Sequence, residues 1–228
     1  MPAHVSMAAS QGRTGRSFNP DRTQFTRLWG AVWLACLLPL LWLIAAGLRD
    51  ALGANPIEYI TRATGDWTLR MLMITLTVTP LRQLTGWHWL VRLRRTLGLY
   101  AFFYACLHLT TYVWLDQFFD LGEMVKDIIK RPFITVGFCA FVLLLPLALT
   151  STNGMIRRLG GRAWQRLHRL IYVIGALGVV HYWWLVKKDI TEPVIYALIL
   201  AVLLGARVWH ARSMHRSVQA ITLQEGVS

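Results

Sequence analysis

Six long apolar runs, separated by short charged segments, decide what this chain can become. They cover about 28–48, 67–84, 97–115, 133–150, 167–186 and 193–209. Crossing the hydrocarbon core takes about 20 apolar residues per helix. Of the 228 residues, 55% are hydrophobic and 15% charged, well short of the quarter that soluble domains carry. The expected fold is all-α: an integral membrane bundle of six transmembrane helices. The second run is the weakest, with Arg70 near its start, where a long side chain can snorkel toward the interface.

Charge sets the expected orientation. Arg82, Arg92, Arg94 and Arg95 stand in the 82–96 loop, and Arg157, Arg158, Arg162 and Arg166 in the 151–166 loop, with no acidic residue in either. Arg212 and Arg216 follow the sixth. The intervening segments mix Lys and Arg with Asp50, Glu58, Asp66, Asp116, Asp120, Glu123, Asp127, Asp189 and Glu192. Basic segments stay inside, so both termini are expected in the cytoplasm. Residues 1–26 read as a disordered cytoplasmic tail, 27–212 as the six-helix domain and 213–228 as a C-terminal tail. The first run begins too late for a signal peptide and lacks a small-residue cleavage site. The formal charge of +13 is topogenic on this reading and implies no nucleic-acid partner.

No segment between runs can hold a soluble catalytic domain, and neither GxGxxG nor a P-loop occurs. Cys36, Cys106 and Cys139 lie inside apolar runs without a CxxC pair. They read as small buried apolar residues.

Polar residues within a span are functional suspects, and the seven histidines are the ones to weigh. His4 and His215 lie in tails, His88 in an Arg-rich loop, and His210 at the end of the last run. His108 is 11 residues past Leu97, and His181 is 14 past Leu167. At 1.5 Å per residue, both are roughly 16–21 Å along helices that run outward. Two readings fit: a bis-histidine haem site, or two unrelated histidines each hydrogen-bonded in the bundle. Ala101, Ala105, Gly175, Ala176 and Gly178 would let a macrocycle or another helix approach. His168 is 13 residues before His181, about 20 Å away and about 140° around a continuous helix. It would serve a second, inner haem, a flavin or a lipid headgroup. Arg158, Arg162, Arg166 and Arg169 lie close in sequence and could meet propionates, a flavin phosphate or lipid.

Four segments together carry a resemblance: RRTLGLYAFFYACLHLTTY at 94–112, KRPFITVGF at 130–138, LALTSTNGMIRRLGGRAWQRLHRLIYV at 147–173 and VHYWWLVKKD at 180–189. Over roughly 28–212 the chain resembles the MsrQ (YedZ) family of ferric-reductase-like transmembrane domains. The resemblance implies b-type haem (one or two), an associated FMN, and a bacterial inner-membrane location. It implies electrons taken from the quinone pool and passed to MsrP, a periplasmic molybdopterin enzyme that reduces methionine sulfoxide in oxidised proteins. It also implies that His108, His168 and His181 are the haem-associated histidines, with His108 and His181 as axial iron ligands and His168 at a possible second haem. The competing functions are a metalloreductase-type haem subunit served by a separate flavin reductase, and a non-redox transporter or scaffold.

Overall fold

The computed structural model describes residues 19–186 and 188–225, with side chains through 213. The expected tail falls outside the described residues up to position 18. Among the described residues every regular element is helical. The helices are α1 (Arg22–Leu48), α2 (Pro56–Thr85), α3 (Arg94–Thr110), α4 (Leu121–Lys130), α5 (Pro132–Leu149), α6 (Asn153–Leu159), α7 (Gly161–His168), α8 (Leu170–Leu185) and α9 (Thr191–Glu225). A 3-10 segment at His88–Leu93 leads into α3, and a π-helical turn at Thr111–Asp116 follows it.

Local chemistry explains the boundaries. Asp21 accepts from the Gln24 amide in a reciprocal capping box, so α1 starts inside the segment expected to be tail. Asn55 caps α2, Pro56 opens it, and Gly86 at φ 72° ends it. Asp120 accepts from the Glu123 amide and starts α4, an amphipathic helix between runs whose Met124 is buried. The fifth run is not one helix. It breaks at Arg169 between α7 and α8, which removes the continuous-helix basis for the 140° estimate. α9 continues to Glu225, past the sixth run.

Side-chain contacts fix the helix directions. Trp29 donates to Thr96 at 3.0 Å, Tyr100 to the Trp33 carbonyl at 3.0 Å and Tyr104 to the Cys36 carbonyl at 2.7 Å. Both sets of numbers rise together, so α1 and α3 run parallel and α2 returns between them. His108 meets Thr61 while Gly98 lies by Thr75, so α3 is antiparallel to α2. His181 meets Phe133 and His168 meets Thr150: the α7–α8 run is antiparallel to α5. Tyr172 meets Arg207 and Tyr182 meets Glu192, so α9 is antiparallel to α8. Directions therefore alternate through the six apolar runs. We call the end with the α1 start the near end and the opposite end the far end.

The burial pattern is inverted relative to a water-soluble protein. Among the described residues three helices are long and apolar enough to cross a membrane: α1, α5 and Thr191–Ser213 of α9; yet only 11%, 11% and 17% of their most apolar stretches is buried. Trp33, Leu34, Leu38, Leu41 and Trp42 of α1 point outward. So large a contiguous apolar surface needs lipid around it. The low-hydropathy α2 occupies the centre, burying Leu69, Met71, Leu72, Met73, Thr75, Leu76 and Val78. Helices on all sides replace lipid there, so α2 tolerates polar residues. Thr64, Thr68, Thr75 and Thr77 bond back to carbonyls of their own helix. The Arg70 Nε donates to the Tyr196 hydroxyl at 3.0 Å, and its guanidinium lies 4.9 Å from the Trp67 ring centre. The cysteines are free: Cys36 is buried, Cys106 half-buried and Cys139 exposed on outward-facing α5, so burial does not extend to all three.

Because α1 has so little buried surface, its hydroxyl bonds to α3 matter. Each such bond contributes about 1 kcal/mol. The Tyr100→Phe/Tyr104→Phe double variant should melt earlier in detergent and expose Cys36 to maleimide faster than the parent. An unchanged labelling rate would show that the two bonds do not hold α1.

Candidate functional site

The far end encloses a cavity of about 680 Å³ between α2, α3, α5 and α8, within the roughly 300–1,000 Å³ typical of cofactor pockets. His108 of α3 and His181 of α8 both line it. Their ring centres are 6.1 Å apart, with planes at 73°.

Each ring is seated by a neighbouring helix. His108 Nδ1 is 2.9 Å from the Thr61 carbonyl oxygen, and His181 Nδ1 is 2.6 Å from that of Phe133. A carbonyl oxygen only accepts, so Nδ1 carries the proton in both rings, and Nε2 keeps a lone pair for a metal. Glycines make the seats possible. A Cβ at Gly65 would meet the His108 ring at 3.0 Å, and one at Gly137 would meet His181 Nδ1 at 2.7 Å.

These features fit an iron held from both faces of a planar macrocycle. His108 and His181 would hold the iron of such a group through Nε2, and it would supply one-electron chemistry there. Apolar walls come from Leu69, Leu72, Phe141 and Ile174. Polar atoms wait in the same space: the Tyr112 hydroxyl and Thr61 Oγ1 are buried without a partner, and Arg131 stands among the lining residues. Such groups suit the carboxylates of a bound macrocycle. Among the described residues no three or more His, Cys, Asp or Glu gather to hold a bare metal ion.

His168 lies elsewhere, at the near end, and does not line the cavity. Trp164 stacks on it at 3.8 Å between ring centres, and its Nε2 is 3.1 Å from Thr150 Oγ1. The Thr150 hydroxyl donates to the Pro146 carbonyl at 2.6 Å and so accepts from His168. Unlike the far-end pair, His168 has its Nε2 occupied. Arg158, Arg162, Arg166 and Arg169 are exposed. His88 is exposed and His210 half-buried; His4 and the His215 side chain lie outside the description.

The small residues divide. Ala105 and Gly178 line the cavity, Ala101 and Gly175 are buried in packing, and Ala176 points outward. Sequence reasoning passed over Gly65, Gly137, Thr61, Phe133 and Tyr112. The available signal was a glycine inside each of two helices, where glycine is otherwise unfavourable.

Comparison with known proteins agrees with this architecture. Residues 64–179 match the family model described as ferric reductase like transmembrane component. A protein of Herminiimonas arsenicoxydans is 58% identical over 207 residues, covering 89% of this chain and 95% of its own length. One from Azospira oryzae is 53% identical, covering 92% and 94%, and one from Rhodospirillum rubrum is 52% identical, covering 91% and 99%. Each of the three is named protein-methionine-sulfoxide reductase heme-binding subunit MsrQ. With half the chain matched by the family model and about nine-tenths aligned to relatives this similar, the chain belongs to the MsrQ family of ferric-reductase-like membrane proteins.

Proposed function

We propose that this protein is a multi-pass electron-transfer subunit of the bacterial inner membrane. It carries electrons from the quinone pool through b-type haem to a periplasmic molybdopterin-containing methionine sulfoxide reductase, MsrP. The carrying observation is the far-end pair: two imidazoles facing one cavity, each with its proton directed to a backbone carbonyl and Nε2 left for iron.

On this reading the six apolar runs all cross the membrane, and both termini are cytoplasmic. Support comes from the alternating helix directions and the arginine bias of the near end. The near end is then cytoplasmic and the far end periplasmic. A b-type haem bound between His108 and His181 supplies one-electron chemistry close to the periplasmic surface. The protein's own work there is positional. Thr61 and Phe133 hold the ring protons, Gly65 and Gly137 set the rings' approach, and the apolar walls keep water out. Holding ligand orientation through such hydrogen bonds is how proteins tune a metal site.

A second centre at the cytoplasmic side, a haem or FMN, belongs near His168 on this reading, and iron ligation by its Nε2 would have to displace the Thr150 hydroxyl. An electron would otherwise face most of a roughly 30 Å apolar core in one step. The stacked Trp164–His168 pair suits a planar cofactor.

One spectroscopic series tests the reading. The purified parent should show low-spin haem that is reduced by quinol and reoxidised on adding MsrP with methionine sulfoxide. His108→Ala, His181→Ala and Gly137→Ala should each remove most low-spin haem, whereas Gly30→Ala, with nothing near its Cβ position, should retain it. Parental spectra in all the histidine variants would overturn the assignment; absence of reoxidation would overturn the partner. His168→Ala should keep the far-end spectrum, lower cofactor per protein and slow quinol-driven but not dithionite reduction. Unchanged stoichiometry and rate would remove His168 from the path.

The crossing pattern has its own check. Reporter fusions after Ala54, Lys126 and Asp189 should all read periplasmic, and a cytoplasmic signal from position 126 would break the six-span arrangement.

A further inference from the structure

Between the third and fourth apolar runs the chain forms a short helix that leaves an apolar side exposed. On α4, Leu121, Val125 and Ile129 are exposed, and residues spaced four apart line up along one side of a helix. Met124 is buried and Ile128 lines the far-end cavity, which defines the side turned toward the bundle. Glu123, Lys126 and Lys130 are exposed as well. At about 100° per residue, the exposed apolar side lies about 80° from the bundle side and roughly 130° from the charged side. Three directions around one helix thus carry three kinds of side chain.

The polar contacts that hold α4 in place use its other sides. Gln117 donates to the Asp127 carboxylate at 3.2 Å, Arg131 pairs with the same carboxylate at 3.2 Å, and the Thr135 hydroxyl donates to the Ile128 carbonyl. The turn before α4 extends the apolar surface: Trp114, Phe118 and Phe119 are exposed. Phe118 and Phe119 have φ of 48° and 63°, left-handed conformations that bulky residues rarely adopt. Such strain persists where the surroundings over-determine it, and it collects in functional segments. Here the Gln117 and Phe119 amides donate to the Tyr112 and Val113 carbonyls at 3.0 and 2.9 Å. The next helix decides what lies beside the apolar side. α4 ends at Lys130, and Pro132 already opens α5, which is long and apolar enough to cross a membrane and has Phe138 and Val142 exposed. α4 therefore sits where a span meets the bilayer surface. A soluble partner arriving from water would meet the charged side, and the apolar side is turned away from it.

We propose that α4 and the turn before it form a lipid-seated surface, in which Leu121, Val125 and Ile129, continued by Trp114, Phe118 and Phe119, insert into the phospholipid leaflet at the far end. Glu123, Lys126 and Lys130 stay in water. A helix with apolar residues on one side and charges on another lies in the membrane interface in this way, and aromatic rings suit the headgroup level. Along the chain the surface leads into the outward-facing apolar side of α5. The seat bears on the cavity as well. Phe118 and Ile128 both line it, so the leaflet that holds α4 also steadies the cavity rim. The proposal requires α5 to span the membrane and is independent of the redox reading.

Photocrosslinking of the full-length protein provides the test. The residue p-benzoylphenylalanine, placed at Val125, Ile129 or Lys130, is irradiated in membranes of the expressing bacterium, and the adducts are read by mass spectrometry. Positions 125 and 129 should form phospholipid adducts, and position 130 several-fold fewer. A protein captured at 125 and 129, no lipid adduct at either, or equal lipid adducts at all three positions overturns the proposal. Thermal unfolding in phosphatidylcholine nanodiscs gives a second reading with milder variants. Val and Asn have similar helix propensity, so Val125→Asn reports mainly what the side chain faces. It should unfold several degrees below the parent, whereas Lys126→Gln should match the parent, since an exposed ion pair contributes little. A parental midpoint for Val125→Asn would place the apolar side in water and overturn the proposal.

Discussion

Two imidazole N–H groups, each donating to a backbone carbonyl of a helix it does not belong to, set the geometry of the far end. The acceptors are Thr61 and Phe133, and the glycines that admit the rings are Gly65 and Gly137. In both cases the glycine follows the acceptor by four residues. An α-helix already directs the carbonyl of residue i toward the amide of residue i+4. The imidazole therefore uses the remaining lone pair, and the missing Cβ one turn later leaves room for the ring. The same device occurs twice, on α2 for α3 and on α5 for α8. It holds each antiparallel pair at the spacing that the cavity between them requires.

Around that cavity, the arrangement of apolar residues follows from the solvent. Lipid-facing helices must be apolar all round, whereas a helix enclosed by others needs only to satisfy its polar groups internally. α1 and α5 meet the first condition, with large apolar side chains turned outward. α2 meets the second, through threonine hydroxyls bonded to its own carbonyls and through the Arg70–Tyr196 bond. The weakest apolar run is thus the best buried helix.

Much of this was legible in the chain itself. The six runs correspond to α1, α2, α3, α5, the α7–α8 pair and α9, because length and apolarity leave a lipid-facing segment few alternatives. His108 and His181 could be placed at similar depth by counting residues, and they do share a cavity. Their seats could not be read in the same way. Gly65 and Gly137 look like any helix glycine until the neighbouring helix is in place. The break at Arg169 leaves no proline or glycine signal at that position, so a continuous helix was the natural expectation. Arg207 of α9 bonds Tyr172 of α8, 35 residues away in sequence, and also reaches the Leu76 carbonyl of α2. The arginines nearest His168 in sequence drew attention instead, and they proved exposed. Proximity along the chain is a poor guide where partners come from different helices.

The central place of α2 has a consequence for biogenesis. Asp66, Arg70 and a succession of threonines make this segment a poor occupant of a bilayer by itself. Its stabilising surroundings are contributed by α3, α8 and α9, all of which are synthesised later. A segment leaving the ribosome in that state needs shelter in the insertion machinery until α3 can pair with it. On the six-span reading proposed above, the α2–α3 hairpin, not the single helix, is then the unit expected to enter the lipid.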